Sequence, residues 1–323
     1  MEWSNGVALG PFRRPTPQPE RNNVRETIPT LETAAGPCPA FEVLAPTTQQ
    51  LPLVFCSPHS GRVYPSAFLA SSRLSDAAIR RSEDLFVDQL FDFVPALGAP
   101  LLLARFPRAF LDVNREPYEL DPRMFEDALP AFANTGSVRV AGGLGTIPRI
   151  VAEREDIYRH KLLVSEGLAR IETIYKPFHE TLAALLGQTV ERFGSAVLVD
   201  CHSMPSTVRA LPGGRRPDMV IGDRFGTSAS SRIVTLAAAG LSALGYDVTR
   251  NKPYAGGFIT ERYGRPSAGI HALQIEINRG LYADEGRFVP SGGFDALRAD
   301  LVDFVTRLAG DLDADLGYAA AAE

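Results

Sequence analysis

Two histidines, His59 and His202, each follow a short apolar run: Leu53-Val54-Phe55-Cys56 leads into Ser57-Pro58-His59, and Ala196-Val197-Leu198-Val199 leads into Asp200-Cys201-His202. In open α/β sheets ligands bind beyond the carboxyl ends of the strands, where the loops converge. Two imidazoles at equivalent positions therefore point to one shared site. Imidazole is a favoured ligand for zinc and related metals, and a catalytic centre takes three protein ligands with one position open, so the missing member is a carboxylate. Arg62 stands three residues after His59, so the acid must come from elsewhere, and Arg81-Ser82-Glu83-Asp84-Leu85 supplies two. A helix begun at Ser75 and running from about 76 to 97 puts Glu83 on one face with Ile79, Phe86, Leu90 and Val94, with Asp84 and Asp88 to one side. A helix begun at Ser82 instead places both acids in its first turn, where negative charge is favourable with no metal at all. The residues alone leave Glu83 and Asp84 both open.

Other polar groups gather near the same strand ends. Asp200 precedes His202 by two residues and so shares its side of a strand, where a carboxylate suits the second imidazole nitrogen of a metal ligand or is a solvated strand end. Glu276 lies inside the apolar run Leu273-Gln274-Ile275-Glu276-Ile277, where burial would raise its pKa towards that of a general base; the plainer alternative is an ion pair with Arg279. Asn114-Arg115 closes Asp112-Val113-Asn114-Arg115, and an arginine fork beside an amide suits a carboxylate ligand, unless Arg115 merely pairs with Glu116 or Glu119. Gly256-Gly257 could admit a ligand close to the backbone or simply turn the chain. His179 and His271 read as core or surface residues, and His160 as a solvent-facing residue of a charged helix. A nucleophile at Cys201 or Ser203 activated by His202 is disfavoured, because neighbours on a strand point to opposite faces. No phosphate-binding loop, dinucleotide fingerprint or nucleophile elbow is present.

The elements that must hold these groups alternate between short apolar runs and helical patterns, which predicts an α/β layered fold with a largely parallel sheet. Strands are expected at 53–56, 101–104, 109–113, 196–199, 219–221, 247–250 and 273–277. Helices are expected over 153–193, bent at Pro177 and capped by Gly194, over 228–244, and over 294–308 with Gly310 as terminator. Residues 1–40 read as an irregular arm, 41–315 as one catalytic domain, and 316–323 as a fraying tail.

The composition, 45% hydrophobic and 22% charged over 323 residues, is that of a globular chain. A net charge of −5 with no basic run gives no footprint for nucleic acid or an anionic membrane, yet a few arginines in a pocket can still select a small acidic substrate. Cys38, Cys56 and Cys201 are too scattered for a disulfide framework or a paired-cysteine zinc site. With no apolar run near the roughly 20 residues of a membrane span and no signal core, the expected location is cytoplasmic.

Taken as an ordered set over about residues 40–290, Ser57-Pro58-His59-Ser60-Gly61-Arg62, Asp112-Val113-Asn114-Arg115, Asp200-Cys201-His202-Ser203, Tyr254-Ala255-Gly256-Gly257 and Gln274-Ile275-Glu276-Ile277-Asn278-Arg279 resemble the N-formylglutamate amidohydrolase family, which is related to zinc carboxypeptidases and aspartoacylases. The resemblance implies a three-layer α/β/α fold with a mixed, largely parallel sheet, and hydrolysis of N-formyl-L-glutamate to formate and L-glutamate in histidine degradation. It implies a divalent metal, zinc by expectation, on His59 and His202, with Asp84 favoured over Glu83 as third ligand. It further implies Glu276 as the water-activating base and Asn114-Arg115 as the holder of a substrate carboxylate; the residue reading adds Gly256 and Gly257 beside the substrate and Asp200 behind His202. The alternatives are another N-acyl amino acid or short peptide as substrate, or a noncatalytic binding protein of the same fold.

Overall fold

The computed structural model describes residues 28–151, 155–208, 210 and 214–320. Nine strands concern us, numbered in chain order. β1 (Thr30–Thr33) and β2 (Gly36–Pro39) form an antiparallel hairpin, and β3 is Phe41–Leu44, β4 Leu53–Ser57, β5 Leu101–Ala104, β6 Ala196–Met204, β7 Met219–Gly222, β8 Val248–Arg250 and β9 Ile270–Asn278. β3 to β9 make one sheet in the order β3-β5-β4-β6-β9-β7-β8. The central β5-β4-β6-β9 pairings and β7-β8 are parallel, whereas β3-β5 and β7-β9 are antiparallel.

Strict alternation along the central strands divides the core in two. Leu53, Phe55, Val197, Val199, Leu273 and Ile275 point into one layer with the helices Ser231–Ala243 and Phe294–Ala320. Val54, Cys56, Ala196, Leu198 and Ala272 point into the other, against the helix Lys176–Phe193. Strands buried on both faces read as continuous apolar runs, which is why they are visible in the sequence. The three-layer α/β/α architecture with a mixed, largely parallel sheet follows from this packing.

Several elements depart from expectation for identifiable reasons. The end of the arm is ordered as the β1–β2 hairpin, and residues 1–27 lie outside the described residues. Ala109–Val113 is a turn, not a strand, with Phe110 N–H and Leu111 N–H bonded to the Pro107 carbonyl; these residues are apolar because they pack in the core. The region 76–97 is a series of single turns. Glu83 is extended (ψ 140°) and Phe86 is left-handed (φ 58°), a conformation that side chains with a Cβ adopt rarely.

The long helix starts at Val164, and His160 is exposed in the segment before it rather than helical. That helix passes through a π-helical stretch, Ile171–Tyr175, just ahead of Pro177, whose missing N–H leaves the Thr173 carbonyl without its usual donor. It closes at Gly194, as the sequence predicts, in the left-handed conformation (φ 78°). The last helix runs past Gly310 to Ala320, so residues 316–320 are helix rather than tail: one glycine costs about 1 kcal/mol, and Leu312 beyond it is buried in the core. Residues 321–323 lie outside the described residues.

Candidate active site

Beyond the point where β6 and β9 are covered by core side chains, the face carrying Leu198 and Ala272 continues as polar groups. The register pairs Asp200 with Gln274 and His202 with Glu276. In-register neighbours on adjacent strands lie side by side on one face, so two strands deliver a compact four-residue block. β6 is longer than expected, so His202 lies on the strand itself, while His59 stands in the loop after β4. Asp84 is tied to that loop by its own N–H, which donates to the His59 carbonyl at 3.0 Å.

The three side chains converge. One ligand atom each from His59, Asp84 and His202 lies within 4.8 Å of the other two, and all three residues are buried. His202 Nδ1 is 2.9 Å from Asp84 Oδ2, and its Nε2 is 3.0 Å from Asp200 Oδ2. His59 Nε2 is 2.8 Å from Asp112 Oδ1, while its Nδ1 is buried with no hydrogen-bond partner and lies 3.6 Å from Asp84 Oδ2. Burial opposes charge on His202, but Asp200 and Asp84 outweigh it and hold the imidazole well above its ordinary pKa. Burial likewise opposes charge on Asp84, and the hydrogen bond from His202 with the nearby His59 keeps it well below the carboxylate range.

These residues fit a metal. An orphaned imidazole nitrogen facing a carboxylate oxygen across a gap too long for a hydrogen bond calls for a cation between them. Each histidine has its other nitrogen held by an acid, Asp112 or Asp200, the arrangement that orients and strengthens imidazole ligands. Asp200 lies on the Nε2 side of His202. Asp112 lies likewise on the Nε2 side of His59, and its significance is not visible from the sequence. It also accepts from Arg108 Nε at 2.9 Å and from the Asn114 N–H at 2.9 Å.

Glu83 is elsewhere: it accepts from Tyr64 Oη at 2.7 Å and pairs with Arg80 at 3.0 Å. The wheel identifies it as buried, correctly, but an extended backbone at this residue turns Asp84 and not Glu83 to the histidines. Arg279 does not pair with Glu276; its Nη2 donates to Asp84 Oδ1 at 3.2 Å and its Nε to Ser203 Oγ at 3.0 Å. Glu276 is instead held by Gln274, whose Nε2 donates to Oε1 at 2.8 Å, and burial pushes its carboxyl up to about 7. Cys201 points into the opposite layer, and burial drives its thiol well above the ordinary range.

A cleft of about 370 Å³ opens over this block, lined in part by His59, His202, Glu276, Arg115, Gly256 and Gly257. Asn114 also lines it, but its side chain is committed to the protein. Nδ2 donates to Asp200 Oδ2 at 3.3 Å and Oδ1 accepts from the Ile259 N–H at 2.8 Å. Asn114 Nδ2 also lies 3.1 Å from His202 Nε2, so its amide stands behind that imidazole while lining the cleft. Gly257 belongs to the same support: a Cβ there would fall 2.4 Å from the Asn114 amide, and its N–H donates to Gln274 Oε1 at 2.8 Å. The close backbone approach at Gly257 is thus to Asn114.

Arg115 is 6% exposed and fixed by the carbonyls of Leu144 and Asn114, at 2.9 and 2.8 Å, with Asp112 Oδ2 at 3.5 Å. It pairs with neither Glu116 nor Glu119 in this way. Arg108, Arg139 and Arg224 also line the cleft. None of them stands out in the sequence, since arginines scattered among loops carry no periodic signal.

His179 is buried in the layer below. Its Nε2 donates to the Val113 carbonyl at 2.8 Å, bracing the segment that carries Asn114 and Arg115, and burial pushes its pKa down to about 3. At neutral pH the imidazole is uncharged in both the folded and the unfolded chain. Below about 6.5 the unfolded chain takes up a proton that the folded chain refuses, so stability falls as pH falls. Relative to His179→Gln, the wild-type chain should lose about 2 kcal/mol between pH 6.5 and 5, as read by urea unfolding at both pH values. A difference that does not change with pH would mean that His179 is not held neutral. His271, by contrast, accepts from the Ser230 N–H at 3.2 Å through Nδ1 and takes no part in the cleft.

A family model described as N-formylglutamate amidohydrolase matches residues 51–283, a span that includes every residue of this cleft. The chain is 30% identical to the N-formylglutamate deformylase of Pseudomonas aeruginosa over 248 residues, 76% of this chain and 86% of that protein. The match to the N-formylglutamate deformylase of Pseudomonas putida is also 30%, over 73% of this chain and 83% of that one. The crystal structure of an N-formylglutamate amidohydrolase from Ralstonia eutropha superposes with a TM-score of 0.81 at 35% identity, covering 85% of this chain and 99% of that one. A gene product of Agrobacterium tumefaciens, at 20% identity and a TM-score of 0.60, covers 85% of this chain and 96% of that one and shares the fold.

Proposed function

This chain belongs to the N-formylglutamate amidohydrolase family, and from that membership we propose that it hydrolyses N-formyl-L-glutamate to formate and L-glutamate with a divalent metal, zinc by ligand type, held by His59, Asp84 and His202. It is an amide-cleaving hydrolase; the substrate, the metal and a place in histidine degradation are the proposal. The observation that carries it is the register that sets Glu276 beside His202, with the ligand atoms of His59 and Asp84 within 4.8 Å.

The metal would supply Lewis acidity for the scissile carbonyl and for water. The protein's own groups do the rest. Gln274 holds one oxygen of Glu276, leaving the other without a protein donor among the described residues. A carboxylate whose pKa lies at about 7 is poised to accept a proton from water and return it to the leaving nitrogen. The water oxygen bonds to the formyl carbon, the C–N bond breaks, and formate and a free amine result.

Arg115 faces the substrate carboxylate as a rigid cation, since its fork is fixed before any ligand arrives. Four arginines around one cleft explain how a chain with net charge −5 can take an acidic substrate. Among the described residues no helix is long and apolar enough to cross a membrane.

Metal analysis of the purified protein, with turnover of N-formyl-L-glutamate measured before and after chelation, tests this reading. About one metal per chain is expected, with at least 100-fold loss on chelation and recovery on adding zinc. Turnover that survives complete removal of metal would sink it, and a panel of N-acetyl and peptide substrates would expose a different acyl preference.

A further inference from the structure

Of the four guanidinium groups that line the cleft, three are anchored by at least one protein acceptor and keep other N–H groups for a ligand. Arg115 is held by two carbonyls and Asp112, Arg108 by Asp112 through Nε at 2.9 Å, and Arg224 by Glu261 at 2.7 Å and the Gly256 carbonyl at 3.4 Å. Arg139 is different: its guanidinium has no hydrogen-bond or ion-pair partner among the described residues, although the residue is half-buried. It also lines a second cavity of about 340 Å³ together with Glu116, Glu119, Phe258, Glu261, Arg262 and Arg265, and it pairs with none of these three carboxylates.

Its backbone is nevertheless placed with care. Arg139 lies on the turn of helix Val138–Ala141, which Ser137 caps by accepting from the Val140 N–H. Its carbonyl accepts from the Leu144 N–H at 2.8 Å, and the Leu144 carbonyl in turn holds Arg115 Nε at 2.9 Å. One residue thus links the backbone of Arg139 to the guanidinium of Arg115. Burial does most to press the Arg115 pKa downward, and the neighbouring cations Arg108 and then Arg139 add to it. Like charges brought together around a cleft, one fixed and one free, are stabilised by an anion between or beside them.

We infer that Arg139 is a specificity-determining residue, holding the second carboxylate of an N-acyl dicarboxylic amino acid while Arg115 takes the carboxylate that all N-acyl amino acids share. This rests on the substrate reading given above and extends it to the side chain of the amino acid. A guanidinium with all its donors available can meet a carboxylate in a two-bond fork, and neutral side chains offer no such partner.

The test compares kcat/KM for N-formyl-L-glutamate and N-formyl-L-glutamine in the metal-loaded wild-type enzyme, Arg139→Gln and Arg139→Lys. The preference for the acidic substrate should fall by on the order of 50-fold in Arg139→Gln, through KM rather than kcat, with partial recovery in Arg139→Lys. An unchanged preference, or an equal loss on both substrates, would overturn the assignment. So would a lowered melting temperature in Arg139→Gln, which would mark a structural role. Calorimetric binding of L-glutamate and L-glutamine separates the two ideas. If the wild-type enzyme fails to cleave N-formyl-L-glutamate, the substrate reading falls, yet a preference for L-glutamate that Arg139→Gln abolishes still supports the assignment. No such preference in the wild-type protein, or one that persists in the variant, overturns it.

Discussion

Glu276→Gln should lower kcat by about 10³-fold while leaving the metal content of the protein unchanged. Glutamine keeps the shape of the side chain, and its carbonyl oxygen can still accept from Gln274 Nε2, so the packing between β6 and β9 is preserved. What disappears is the ability to hold a proton between water and the leaving nitrogen. The direction of the pH dependence follows from the raised pKa. A base must be unprotonated to act, so wild-type kcat/KM should fall as pH drops below about 7, and that acid limb should be missing from the residual activity of the variant. Steady-state rates across pH 5 to 8, with metal measured on the same samples, decide the matter. A variant within tenfold of the wild-type rate would remove Glu276 from the proton transfer.

The second large effect separates two adjacent acids. Asp84→Ala should lose its metal and with it at least 10³-fold of activity, because Asp84 Oδ2 faces both histidines. Glu83→Gln should retain metal and most activity but unfold more easily, by about 2 kcal/mol, since it disturbs a buried carboxylate bonded to Tyr64 and Arg80. Metal content by mass spectrometry and thermal melting of the two variants give the contrast directly. If Glu83→Gln lost the metal and Asp84→Ala kept it, the centre described above would be wrong.

That pair also shows where sequence reasoning stops. Leu53–Ser57, Ala196–Met204 and Ile270–Asn278 are legible because strands covered on both faces must be apolar throughout, and the polar residues that interrupt them are then conspicuous. His202 and Glu276 stand out for that reason, and His59 because it directly follows such a run. The wheel misleads at Glu83 and Asp84 because it presumes a regular helix, whereas the ties of Asp84 to His202 and Arg279, and of Glu83 to Arg80 and Tyr64, hold this stretch in single turns.

Asn114 is legible as a polar residue in a meaningful place, but its employment behind His202 depends on Ile259, 145 positions further along the chain. The bond from Asp112 to His59 and the place of Arg139 in the cleft are not legible, because a turn and a one-turn helix carry no periodicity that marks which side chains they bury. The register that sets His202 against Glu276 is likewise a property of pairing, absent from either strand alone.

That register has a consequence for how such a protein can change. On the proposed mechanism the metal ligand His202 and the base Glu276 stand on backbones held at the interstrand spacing, about 4.8 Å; a slip of one residue would turn Glu276 to the far side of the sheet altogether. The arginines that line the cleft sit outside this constraint, Arg108, Arg115 and Arg139 between β5 and β6 and Arg224 in the connection just after β7. Variation in what is cleaved can therefore accumulate in the loops while the cleaving apparatus stays fixed in the sheet, and an engineer seeking a new N-acyl substrate should randomise the former and leave β6 and β9 alone.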